Sequence, residues 1–118
     1  MSEKKLFTTD SRGDVLVIRF PPGSQLSGSV AGPVGDQLFK LVDEQGWRQV
    51  LLNFANVAGV TSLFIGKLIT LHKKVQPVGG WVAICEASPV VLEILDLLRV
   101  TTMIPAYPTE QEAMNSLP

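Results

Sequence analysis

Three short apolar runs constrain this chain most: VLVIRF (15–20), RQVLLNF (48–54) and WVAICEA (81–87). Runs this short and this continuously apolar read as buried strands. Between and after them the apolar residues recur at helical spacing. Val34, Leu38, Leu41 and Val42 form the stripe of a helix from about Pro33, in its first turn, to Gln45, with Gly46 as its stop. Val91, Ile94, Leu95 and Leu98 form the inner face of a later helix. Ser88 is suited to cap that helix, and Pro89 lacks the N–H that would go unpaired. Strands and helices that alternate in this way predict one α/β domain over residues 1–118. Its architecture is a sandwich with a small mixed β-sheet and helices mainly on one face.

The remaining elements are read from turn chemistry. Residues 4–10 and 14–20 flank SRGD as a hairpin. The stretch from Pro21 to Pro33, PPGSQLSGSVAGP, reads as a Gly/Pro/Ser-rich loop. A short strand is expected near Thr102 to Pro105. Thr109 and Glu112 stand at capping-box spacing before a last short helix.

Several function classes are excluded by what the chain lacks. Lys plus Arg number 10 and Asp plus Glu number 11, so there is no basic stripe for nucleic acid. No apolar run approaches the length of a bilayer span, and MSEKKLFTTD lacks the apolar centre of a signal peptide. A cytoplasmic protein without membrane insertion is the expectation. The single cysteine, Cys85, lies in an apolar run and reads as a buried, inert thiol. The single histidine, His72, reads as a helix-packing residue. Neither a metal site nor a histidine-based triad has enough material. No cofactor and no enzymatic activity are expected.

The stretch NVAGVTSLFIGKLITLHKK (56–74) holds the candidate site. Gly59 and Gly66-Lys67 are similar to a phosphate loop, but six residues separate the glycines where four are required. Leu68 also stands where a magnesium-binding hydroxyl belongs. Read as a helix, Phe64, Leu68, Leu71 and Val75 fall on one line, which Ile65, Ile69 and His72 widen. Gly66, Lys67, Lys73 and Lys74 face away. Thr61 or Ser62 caps the helix. Leu63 is apolar on the polar side, and Gly66 costs about 1 kcal/mol against Ala. A bare outer face with an exposed leucine suits close approach by another protein.

These residues resemble the STAS domain family, in particular the bacterial anti-sigma factor antagonists, from about Leu6 to Leu117. The block LLNFANVAGVTSLFIGKL is similar to the family's L-N/D-L-x-x-V-x-x-h-D-S-S/T-G-L-G-x-L, where h is apolar. GGWVAICEASPVVLEIL is similar to a second family block, G-G-x-h-x-h-x-x-x-S-P. The resemblance implies partner switching. An antagonist binds an anti-sigma factor, often itself a serine kinase, and is released when the serine after the family's Asp is phosphorylated. That serine matches Ser62, with Thr61 a weaker candidate. The implied contact surface comprises Ser24, Gln25 and Ser27 together with Thr61, Ser62, Leu63, Gly66 and Lys67. Thr61 replaces the family's Asp, Leu63 its second Ser or Thr and Phe64 a Gly, and Arg99 falls in LLRV, where the family tends to place a Gly before Leu, a change that bears on a loop. A second reading, supported by Thr61, is a non-phosphorylated scaffold or interaction module in a signalling or transporter-associated complex.

Overall fold

The computed structural model describes residues 6–117. In chain order the elements are β1 (Thr8–Arg12), β2 (Val15–Arg19), β3 (Ser24–Leu26), α1 (Gly28–Asp43), β4 (Gln49–Asn53) and β5 (Val57–Val60). They continue with α2 (Ser62–Val75), β6 (Trp81–Cys85), α3 (Pro89–Leu97), β7 (Ala106–Tyr107) and α4 (Glu110–Ser116). The main sheet has the order β1-β2-β4-β6-β7, antiparallel between β1 and β2 and parallel elsewhere. β3 and β5 pair separately, in parallel.

The apolar runs are continuous because both faces of the central strands are covered. Leu16, Ile18, Val50, Leu52, Val82 and Ile84 point into the larger core, against α1, α2 and α3. Val15, Val17, Leu51, Ala83 and Cys85 point the other way, against Ala113, Met114 and Leu117 at the C-terminal end. Each fully buried leucine, such as Leu68, contributes roughly 2 kcal/mol relative to exposure. The sheet is therefore a mixed one with three helices on one face and the short α4 on the other. None of the described helices is long and apolar enough to cross a membrane.

Several boundaries differ from the sequence reading. The hairpin turns at Gly13-Asp14, where Gly13 takes φ 62°, so β1 starts and ends two residues or more later than expected. Lys4 and Lys5 of the expected strand lie outside the described residues. α1 begins at Gly28, not Pro33, and carries the proline inside it. The face made by Ala31, Val34, Gly35 and Leu38 is buried, and that burial carries the helix across the one backbone bond that Pro33 cannot make. Gly46 does act as the stop: it takes φ 78° and donates its N–H to the Val42 carbonyl at 3.1 Å. The strand expected near Thr102–Pro105 is displaced. Val100–Thr102 is a 3-10 turn, and β7 follows at Ala106. Leu98, expected on the inner face of α3, caps its C-terminal end and is exposed. Arg99 then takes φ 58°, the left-handed conformation that a glycine adopts freely.

Candidate functional site

The site is assembled by the small β3–β5 pair. Leu26 lies opposite Val60 in its register, so the next residues, Ser27 and Thr61, stand side by side. Each is extended, and each is the N-cap of a long helix: Ser27 of α1 and Thr61 of α2. Neither side chain bonds to its own helix, and neither first turn holds an acidic residue. Thr61 instead donates both its N–H and its Oγ1 to the Leu26 carbonyl, at 3.1 and 3.2 Å. The hydroxyl that was expected to cap α2 thus fastens α2 to β3.

Ser62 is the first residue of α2 and is exposed; Leu63 beside it is 55% exposed. Phe64 and Ile65 turn into the core and fix the rotation of the helix. The first N–H groups of α2 have no carbonyl one turn behind them. The earliest in-helix bond here runs from Ile65 N–H to the Thr61 carbonyl at 3.0 Å. Gly66 lies one turn on, exposed, with open space where a Cβ would stand. It is helical, so Gly66-Lys67 is no part of a phosphate loop.

The other expected contact residues divide. Gln25 is exposed, and its Oε1 would lie 2.6 Å from a Cβ at position 59, so Gly59 makes room for it. Ser24 uses its hydroxyl internally, donating to the Pro21 carbonyl at 2.6 Å. A shallow depression of about 280 Å³ adjoins it, lined in part by Gln25, Leu26 and Val30. Lys67 and Lys74 do not face away. Their ammonium groups pair with Asp36 and Asp43 on α1, at 3.1 and 3.0 Å, and both lie over the Phe39 ring. The Lys67 stem also covers Gly35, where a Cβ would come within 2.6 Å of its Cγ. Gln25, Ser27, Thr61, Ser62 and Leu63 are thus gathered at one end of the β3–β5 pair, while Lys67 belongs to the α1–α2 seam.

A second polar cluster escaped the sequence reading. Arg19, Asn53 and Cys85 lie in one row where β2, β4 and β6 end. Glu110, at the start of α4, accepts hydrogen bonds from Arg19 at 2.8 and 2.9 Å, Arg12 at 2.9 Å and Asn53 at 3.1 Å. Its own N–H donates to Glu86, which takes φ 59°. Burial opposes the Glu110 charge, but the Asn53 amide and the two guanidinium groups outweigh it and hold the carboxyl below its usual range. Burial likewise opposes the charge on Arg19, yet Glu110 and Asp10 hold its pKa above the usual value. Cys85 is pushed up to about 12, by burial first and then by Glu86 and Glu110. Cys85, Glu86 and Glu110 bring ligand atoms within 4.8 Å of one another. A neutral thiol and a carboxylate already held by two arginines make a poor cation site, so the cluster reads as a tie between α4 and the sheet. The lone polar residue at the end of the VLLN strand was the one sequence signal for it.

The STAS domain family profile matches residues 7–113. An anti-sigma F factor antagonist from Paenibacillus polymyxa is 23% identical over 103 residues, covering 87% of this chain and 86% of that protein. The structure of an anti-sigma-factor antagonist (STAS) domain protein from Planctomyces limnophilus superposes with a TM-score of 0.83 at 25% identity, covering 93% of this chain and 95% of that one. The Bacillus cell fate determinant SpoIIAA in its phosphorylated form gives a TM-score of 0.69 at 15% identity, covering 92% and 96% of the two chains.

Proposed function

The chain belongs to the STAS domain family, and we propose that it is an anti-sigma factor antagonist-like regulator, switched by phosphorylation of Ser62. In this reading it acts in the cytoplasm as a single, non-catalytic domain. Its partner is an anti-sigma factor or serine kinase, met through the start of α2 and the end of β3. The observation that carries the reading is the placement of Ser62, exposed on an uncapped first turn beside an exposed leucine. Thr61 ranks below Ser62 as a phosphoacceptor because its hydroxyl is committed to Leu26. A phosphate on Ser62 meets free N–H groups and the positive end of the helix dipole, worth up to ~2 kcal/mol, so the modification leaves the fold intact. It also adds up to about two negative charges to the contact surface. Against one partner carboxylate about 5 Å away, even the aqueous limit costs roughly 1.5 kcal/mol, near tenfold in affinity.

The test is incubation with a serine kinase of the anti-sigma type and Mg-ATP, read by intact mass. One added phosphate is expected on the parent and none on Ser62→Ala. Ser62→Asp, which adds one charge where a phosphate adds up to about two, should bind the parent's partner about fourfold more weakly in the same aqueous limit. Phosphate that persists in Ser62→Ala refutes the site. A Ser62→Asp protein that binds as tightly as the parent refutes the charge mechanism. A stable partner with no phosphate would establish the non-phosphorylated interaction module instead.

A further inference from the structure

α3 buries Val91 and Leu95 and turns Val90, Glu93, Asp96 and Leu97 outward, with Val90 64% and Leu97 73% exposed. Positions 90, 93 and 97 fall on one line of the helix, and Asp96 flanks them. A groove of about 390 Å³ runs along this face, lined by Pro89, Leu92, Glu93, Asp96 and Leu97. Three choices here oppose local stability. Leu97 is left in water, although burial of a leucine is worth about 1.5–3 kcal/mol. Asp96 stands in the last turn, where the helix dipole is negative and favours a cation by about 0.3–1 kcal/mol. Arg99, just beyond, holds a left-handed backbone. Asp96 is partly compensated, because it accepts a hydrogen bond from Thr101 Oγ1 at 2.8 Å. Leu97 and Asp96 break local rules on one face, with Arg99 just past the end of the helix, and such clusters mark sites kept for function.

We propose that the outer face of α3 docks a cationic amphipathic helix of a partner protein. The partner's apolar side packs along Val90 and Leu97, and its lysines or arginines meet Glu93 and Asp96. The sign is set by α3 itself, which carries these two acids and no base between Pro89 and Leu97. A second copy of this chain fits worse, because paired α3 faces bring like charges together. None of these residues is among those gathered around Ser62, although α3 packs on β5, the strand that leads into α2.

The probe is a short synthetic Leu/Lys amphipathic helix, titrated into the isotope-labelled full chain and followed by amide chemical shifts. A Leu/Glu peptide of the same pattern is the control. Shifts are expected within residues 89–103 for the Leu/Lys peptide alone. Binding should weaken at least ~10-fold, about 1.4 kcal/mol, in Glu93→Lys/Asp96→Lys and in Leu97→Asp, and stay unchanged in Ser62→Ala. All the altered side chains are exposed, and the same spectra show that each variant is folded. Four results would each overturn the proposal: no shifts, shifts centred on Ser62 and Leu63, equal binding of both peptides, or a double charge reversal without effect. Self-association that is lost in Leu97→Asp would give the face to a second copy and overturn it too.

Discussion

Replacing Glu110 by Gln isolates the tie between α4 and the sheet, because shape is kept while charge is lost. The carboxylate accepts two contacts from Arg19, one from Arg12 and one from Asn53, all between 2.8 and 3.1 Å. Glu110 is 16% exposed, but both arginines are 39% exposed, so solvent screens much of the Coulomb attraction. Exposed pairs are worth about 0.2–1 kcal/mol each. The glutamine keeps an acceptor for Asn53 but sets an NH₂ group against guanidinium donors. We expect a loss of about 1–2 kcal/mol in all. For a chain of this length, that lowers Tm by roughly 4–8 °C. The folded Glu110 pKa is depressed, so its contribution is complete above the unfolded value near 4.3 and is lost as pH falls through the lower folded value. Thermal unfolding of parent and Glu110→Gln at pH 7, and again well below pH 4, separates the two regimes. The gap should be open at pH 7 and largely closed in acid. Equal Tm values at pH 7, or a gap that survives acidification unchanged, would refute the reasoning.

Two further outcomes follow from particular backbone and burial features. Arg99→Gly should raise stability by about 0.5–1 kcal/mol in urea unfolding, because glycine takes the left-handed conformation at 58° without steric cost. The Cys85 thiol, buried and raised to about 12, should resist a thiol-specific reagent at pH 8 in the folded protein and react fully once denatured.

The parts of the fold legible in the sequence are those where local pattern and tertiary burial agree. The central residues of β2, β4 and β6 are apolar because they are covered on both faces, and the α2 stripe of Phe64, Leu68, Leu71 and Val75 is the face that becomes buried. Where the two disagree, the reading fails in a consistent direction. Residues 28–33 hold two glycines and a proline, which oppose a helix, yet Ala31 is fully buried in one. β1 is exposed at every residue, so no alternation marks its ends. β3 and β5 are three and four residues long and pair only with each other among the described strands. At the candidate site, the exposure of Ser62 and Leu63 follows from helical angle alone. The inward turn of Lys67 does not, because it depends on Asp36 and Phe39 lying across a seam in another helix. The Glu110 cluster is harder still: its side-chain partners lie 57 to 98 residues away along the chain.

Thr61 bears on the proposed switch in a direction opposite to the one its sequence context implies. The family's Asp at this position would place a carboxylate at the N-cap, where it competes for the free N–H groups of the first turn. At about 5 Å it would also oppose a phosphate on Ser62 by roughly 1.5 kcal/mol in the aqueous limit. An ionised Asp has no proton to give to the Leu26 carbonyl. Thr61 does have one and gives it at 3.2 Å, which fixes the entry of α2 to β3 while leaving the first-turn donors unclaimed. A phosphate on Ser62 would then be the anion that satisfies them. With Ser62 as the switch, Thr61 does not weaken the phosphorylated state. It removes a competing charge from it and transfers the task of anchoring the helix to a neutral bond.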